Sequence, residues 1–270
     1  MLTTSVLISG PLLRAGQLEV SLARTMEEID AAMRLRFEVF NLELQEGLLS
    51  SYDRGYDTDA YDAFCDHLIV RDLPTGRIVG TYRLLRQREA DRQIGFYSET
   101  EFDLTQLRQT AREKGLELLE LGRSCIAASH RSFATINLLW AAIARYAIEN
   151  GAGLLFGCGS LHETEPAEIA RLYRYLSQHY LAPSSYRVTP VESCRMVFPE
   201  DAQDGSTEGD DDARAGGIAR RLPTILRGYL RTGAMIAGEP ALDRAFGTAD
   251  VLVLLNLRQL SDRYKQHYVG

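Results

Sequence analysis

Residues 116–160 set the class of fold. LELLELGRSCI is an apolar, β-rich run. SFATINLLWAAIARYAIENGAG is a long helix whose Ile136, Leu139, Trp140, Ile143, Tyr146 and Ala147 share one apolar face, closed by Gly151 and Gly153. LLFGCGS is a second short strand. Strand, helix and strand in succession argue for a sheet flanked by helices, an α/β or α+β architecture, and against a bundle or a sandwich.

The flanking segments fit that class. Thr25 and Glu28 form a capping box ahead of a helix over about 26–46, with Met26, Ile29, Met33, Phe37, Phe40 and Leu44 near helical spacing. GLLSSYDRGYDTDAYDAFCD reads as an exposed acidic loop. His67 to Val70 and Ile78 to Leu85 are β-rich runs joined by DLPTGR, which predicts a hairpin. A helix is expected near 104–114, and another over EPAEIARLYRYLSQHY, with Pro166 in its first turn. SYRVTPVESCRMVF and DVLVLLNLRQL supply further extended segments. MLTTSVLISGPLLRAG, broken by Gly10 and Pro11, reads as a loose arm and not as a signal peptide. The domain reading is a core over 1–198, a flexible acidic linker over 199–217, and a basic segment, strand and closing helix over 218–270 that pack on the core.

Composition excludes several classes of function. The 270 residues carry a formal net charge of -7, and seven acids (Glu200, Asp201, Asp204, Glu208, Asp210, Asp211, Asp212) lie together in the linker. The rest of the chain is near neutral, so no nucleic-acid partner is expected. No apolar run reaches the ~20 residues of a spanning helix. Four widely spaced cysteines without a CxxC pair read as reduced thiols in a cytoplasmic protein. The five histidines never fall at a ligand spacing and HExxH is absent, so no metal centre is expected. Neither a dinucleotide fingerprint nor a G-x-S-x-G elbow is present.

What remains is charge where strands should be apolar. Asp59, Asp62 and Asp66 precede the first hairpin strand, Arg83 lies within GTYRLL, and Glu120 and Arg123 lie within LELLELGRSCI. The acids by themselves read equally as a solvated loop, and Arg83 with Glu120 as a structural ion pair. Glu120 and Arg123 are three apart, which puts them on opposite faces of a regular strand. They can line one site if Gly122 marks a bulge or one of them works at the strand's end.

HLIVRDLPTGRIVGTYRLL, followed by LELGRSCI and a long helix, resembles the acyl-transferring branch of the Gcn5-related N-acetyltransferase superfamily. With DAFCDHL, PTILRGYLRTGAMIAGEPALDRAFGTADVLVLL and DRYKQHY, the chain is more closely similar to the bacterial ornithine N-alpha-acyltransferases, cousins of the acyl-homoserine-lactone synthases. The resemblance implies a mixed sheet flanked by helices and an amide-forming reaction that gives lyso-ornithine lipid. It matches the synthases' arginine and phenylalanine with Arg36 or Arg34 and Phe40 or Phe37, and their acidic pair with two of Asp59, Asp62 and Asp66. Their later arginine matches Arg83, and their E-x-x-R pair Glu120 and Arg123. Their helix-embedded tryptophan has no counterpart nearby in this chain, whose only tryptophan is Trp140.

Ordinary acetyltransferases cradle the coenzyme A pyrophosphate on a glycine-rich turn; here that place reads HRSFATI. The loss fits a donor carried as acyl-4'-phosphopantetheine on acyl carrier protein, with no permanently bound cofactor. Arg131, Arg220, Arg221, Arg227 and Arg231 are candidates to meet that acidic carrier, or, if helical, the last four could touch the inner face of the membrane. Glu120, Arg123 and Arg83 are the expected catalytic set, with Asp59, Asp62, Asp66 and His67 binding ornithine. Another amino-acid acceptor, an acyl-homoserine-lactone-like signal, and a non-enzymatic membrane-associated protein remain as alternatives.

Overall fold

The structure, a computed structural model, describes residues 10–199 and 217–259. Most of the acidic linker, the closing DRYKQHY and the first nine residues of the arm lie outside the described residues. The chain divides into two compact units. One is built from the residues up to Gly95 with Leu119–Gly153, the other from Phe96–Leu118 with Leu154–Arg258.

The first unit is built on antiparallel strands. β1 (Leu13–Ala15) and β2 (Leu18–Leu22) form a hairpin whose turn uses Gly16 at φ 56°, so part of the expected loose arm is paired strand. β2 pairs with β3 (Asp66–Asp72), and β3 with β4 (Ile78–Arg86), the hairpin expected around DLPTGR. β4 then pairs with β6 (Glu117–Ile126). Opposed residues share a face, so Thr81 and Cys125 point the same way, and Cys125 packs against Leu35 and Val39.

Those two residues belong to α1 (Met26–Phe37) and to the π-helical turn Glu38–Glu43 that continues it. The capping box forms as expected, with Thr25 and Glu28 satisfying each other's backbone N–H groups. The buried stripe differs from the expected one. Ala32, Leu35, Arg36 and Val39 face inward, while Met26 and Leu44 are exposed. Ala32, Leu35 and Arg36 precede the π-turn, so α1 itself is rotated from the expected face, with Ile29, Met33 and Phe37 half-buried at the margin of the stripe. α2 (Gln87–Arg92) follows β4. α4 (Phe133–Glu149), capped by Ser132, serves the opposite sheet face, where Tyr146 Oη donates to Asp66 Oδ2 at 2.5 Å.

In the second unit, β5 (Phe102–Asp103) leads into α3 (Thr105–Glu113) and pairs with β8 (Thr189–Pro190). β7 (Ala152–Ser160) is antiparallel to β11 (Thr248–Asn256), a strand buried at every position. β9 (Met235–Ile236) and β10 (Ala241–Asp243) also pair with β11. α5 (Pro166–Tyr180) starts at its proline as expected. The segment expected to be extended over 185–198 forms only β8 and two 3₁₀ turns. Two helical pieces follow, α6 over 217–221 and α7 (Thr224–Arg231).

Candidate active site

Six charged side chains of the first unit form one ion-pair network. Arg36 lies on the inward stripe of α1, and an arginine there must find carboxylates or strand its charge. It donates to Asp57 Oδ1 from Nε at 2.7 Å, and to Asp62 Oδ1 from Nη1 at 2.7 Å and Oδ2 from Nη2 at 3.1 Å. Arg83 reaches Asp59 Oδ1 at 2.6 Å and Asp62 Oδ1 at 3.3 Å. Arg123 closes the network on Asp59 Oδ2 at 2.9 Å, with Asp57 Oδ1 3.4 Å from its Nε. Arg36, Asp57, Asp62 and Arg83 are buried, so the segment expected as an exposed acidic loop is partly an interior one. Paired arginines explain why that is tolerable.

The acids are presented by a tight turn. Asp59 caps the 3₁₀ turn Ala60–Phe64, accepting from Tyr61 N at 2.8 Å, while Asp62 Oδ2 accepts from Asp59 N at 2.8 Å. Burial acts to raise the pKa of both carboxyls. Arg83 and Arg123 around Asp59, and Arg36 and Arg83 around Asp62, overcome it, so both sit below the usual carboxylate range. Burial likewise acts to lower the Arg36 and Arg83 pKa values, and the acids reverse it and push them up. Arg36, Arg83, Asp59 and Asp62 thus hold one another in their charged forms.

Glu120 and Arg123 meet the bulge condition set by their spacing. Thr81 opposes Cys125, yet Arg83 opposes Gly122, so β6 spends one residue more than β4 there. Arg123 takes φ 50°, a left-handed conformation that costs roughly 1–2 kcal/mol outside glycine. Glu120 opposes Leu85 and so shares a face with Arg83, and it is 4% exposed. The Cys65 thiol feels Arg83, Asp62, Glu120 and Asp59 together. Burial pushes the Cys65 thiol up, and that of Cys125 up to about 12, so neither offers a thiolate near neutral pH.

His67 opposes Arg83 across β3 and β4 and lies on the same face. Asp66, its neighbour on β3, lies on the other face. There it accepts from Tyr146 and sits 3.6 Å from Arg86, so the expected acidic trio is separated by strand alternation. Asp57 takes the third acidic place, and sequence reasoning did not single it out. Arg36 was one of two candidates from resemblance alone. Its signal was an arginine in register with Ala32, Leu35 and Val39.

The remaining arginines are not in this cluster. Arg131 makes a two-pronged pair with Glu43 and donates to Ile126 O at 2.9 Å. In the second unit Arg220, Arg221 and Arg231 are exposed. Arg221 pairs with Glu168 at 2.5 Å, while Arg227 donates to Arg220 O and Thr224 Oγ1. Beneath them Leu222, Leu226 and Leu230 are buried. Among the described residues, Glu101, Cys158 and Asp250 of the second unit bring carboxylate and thiol atoms within 4.8 Å of one another, a spacing open to a cation.

Comparison with known proteins bears on both fold and family. Residues 35–141 match the family described as Acetyltransferase (GNAT) domain. The AHL synthase LasI has a similar fold, with a TM-score of 0.51 and 13% identity covering 95% of this chain and 97% of that one. The class is thus an acyltransferase of the GNAT fold. The L-ornithine N(alpha)-acyltransferase of Brucella abortus (strain 2308) is 36% identical over 266 residues, 94% of this chain and 90% of that protein. That of Rhizobium meliloti (strain 1021) is 35% identical over 270 residues, 94% and 85% of the two. The chain belongs to the L-ornithine N(alpha)-acyltransferase family.

Proposed function

We propose that this chain acylates the α-amine of L-ornithine, taking a 3-hydroxyacyl group from the phosphopantetheine thioester of acyl carrier protein and giving lyso-ornithine lipid. Family membership supports the acceptor. The structural observation that carries the reading is the bulge that brings Glu120 and Arg123 to the Arg/Asp network. Three arginines face three aspartates in the network, and Glu120 adds a further carboxyl group, which suits a cationic acceptor such as ornithine.

The chemistry follows from the amine. An α-amine with a reference pKa near 8 loses its proton far more readily than a side-chain amine near 10.4. In this reading Asp59 and Asp62 hold the side-chain ammonium, and Arg83 and Arg123 the carboxylate. Glu120, directly or through a water, takes the proton from the α-ammonium. The freed amine attacks the thioester carbonyl and forms the C–N bond, while a backbone amide at the β6 bulge meets the oxyanion. Collapse breaks the C–S bond, the proton held at Glu120 goes to the pantetheine thiolate, and the second proton that the nitrogen sheds as it becomes an amide passes to Glu120 and on to solvent. With Cys65 and Cys125 held as thiols, direct attack is the economical route.

The exposed arginines of α6 and α7 are proposed to meet the acidic carrier. No helix among the described residues is long and apolar enough to cross a membrane. Any contact with the inner membrane face would be peripheral. The test is a mass-spectrometric product scan with 3-hydroxyacyl carrier protein and a mixture of ornithine, lysine, glutamine, glycine and S-adenosylmethionine. An amide on the α-nitrogen of ornithine is the expected product. A different adduct would reassign the acceptor, and no adduct from carrier or coenzyme A donors would refute the enzymatic reading.

A further inference from the structure

We propose that His67 is a positioning residue that clamps the acceptor-binding turn to the sheet through the backbone carbonyl of Asp62 and does not itself touch the acceptor. The inference rests on the acceptor reading above and reassigns His67 from the binding set to its support.

Three observations converge. First, His67 Nε2 lies 3.1 Å from Asp62 O. A carbonyl only accepts, so the proton is on Nε2 and the lone pair is on Nδ1. Second, Nδ1 is buried and has no hydrogen-bond partner among the described residues, with the whole residue 3% exposed. An enclosed ring with its one donor already engaged is built to hold, and its enclosed Nδ1 is closed to a substrate. Third, the ring stands on β3 at the position opposite Arg83, whose guanidinium reaches both Asp59 and Asp62. The turn Ala60–Phe64 is thus tied to the sheet twice, once by charge through Arg83 and once by a neutral hydrogen bond through His67.

The neutral tie explains why histidine suits the place. A second cation would stand against Arg36 of α1 and Arg83 of β4, with Asp62 of the turn as the acid beside it. Burial is the largest influence on the ring and, with both arginines, holds its pKa below the ordinary 6.5 despite Asp62. The clamp therefore stays uncharged through the pH range in which the α-amine is being deprotonated.

The test uses the full-length chain and two substitutions. His67→Gln keeps an N–H within reach of the Asp62 carbonyl, and His67→Leu removes it. His67→Leu should raise the KM for ornithine roughly tenfold, the worth of one hydrogen bond, and leave the KM for the acyl donor unchanged. His67→Gln should return the ornithine KM to within about threefold of wild type. Equal defects in both variants, or an equal rise in donor KM, would overturn the clamp.

A second measurement does not depend on the variants folding well or on ornithine being the acceptor. Long-range ¹H–¹⁵N correlation of the imidazoles should show His67 protonated at Nε2 near neutral pH and taking its second proton only below the ordinary 6.5. A ring protonated at Nδ1, or one titrating at its ordinary value, would overturn the proposal. Failure of the wild-type chain to acylate ornithine would instead sink the acceptor reading, and the ring signature would still decide the clamp.

Discussion

The molecule buries carboxylates in two regions and treats them in opposite ways. In the first unit Asp57, Asp59 and Asp62 are interleaved with Arg36, Arg83 and Arg123, and the pKa values of Asp59 and Asp62 fall. In the second unit Asp250 is buried near Asp243. Burial, with the repulsion of Asp243, pushes its pKa up to about 6, because Thr248, Ser160 and His162 only partly offset them. Burial alone does not decide the charge of a carboxylate. A guanidinium within hydrogen-bond reach does. The first arrangement keeps fixed charge in the interior. The second holds a proton up to about pH 6.

The largest effect should come from breaking the first arrangement. Arg36→Met leaves Asp57 and Asp62 short of a cation in the interior, and removing one partner of a buried pair costs about 3–5 kcal/mol. Denaturant unfolding at neutral pH should show that loss. A cost below about 1 kcal/mol would mean that the network is no better held than a surface pair, and the contrast would collapse.

Glu120→Gln comes next and acts on turnover. It keeps shape and hydrogen bonding but cannot take the ammonium proton. A general base contributes roughly 10²–10⁴-fold, so kcat should fall at least about a hundredfold while the melting temperature changes little. Full activity would remove Glu120 from the base role and leave it a structural part of the cluster.

Asp250→Asn tests the other side of the comparison. The folded pKa of Asp250 stands at about 6, above the ordinary 3.8, so the folded state keeps a proton that the unfolded chain gives up. Its contribution is complete below the unfolded value and is lost as pH rises through about 6. Asparagine mimics the protonated form, so the variant should be more stable than wild type at pH ~7.5, by about 1–3 kcal/mol, and its stability should be flatter between pH ~4 and ~7. Asp59 and Asp62 carry the opposite sign, contributing above the ordinary 3.8 and losing that contribution as pH falls. A variant with an unchanged pH profile would mean that Asp250 is ionised in the folded state and that the two regions are alike.

How much of this the sequence disclosed follows from which patterns are periodic. The β3–β4 hairpin, α3, α4, α5 and β11 were legible because turn residues and apolar spacing agree there. The capping box at Thr25 located α1, but the apolar spacing picked out Ile29, Met33 and Phe37, which are only half-buried, and so hid how deep Arg36 lies. Glu120 and Arg123 were legible as charges misplaced in a strand, with a bulge as the condition for their meeting. That Asp66 stands apart from Asp59 and Asp62 was not legible, for a simple reason. At the start of a strand one residue of offset reverses the face, and nothing in DAFCDHL tells whether Asp66 or His67 turns toward Arg83. Asp57 was missed because its role depends on arginines from α1 and β6, far from it in sequence.

The smallest expected effect isolates what burial adds to an ion pair. Arg131 and Glu43 form a two-pronged pair as well matched as any in the network, but each side chain is 39% exposed. Water already solvates both charges, so joining them gains little beyond the entropy lost in fixing two long side chains. Arg131→Ala should therefore cost less than about 1 kcal/mol, several times less than Arg36→Met, although each removes one guanidinium from a carboxylate. Raising the salt concentration should shrink even that cost, and should leave the Arg36→Met cost nearly unchanged, because screening reaches only the exposed pair. The same variant tests the donor side. With its guanidinium taken up by Glu43, Arg131 should affect the KM for acyl carrier protein less than the exposed Arg220 and Arg231 do. A rise as large as theirs would make the Glu43 pair a resting contact that the carrier displaces.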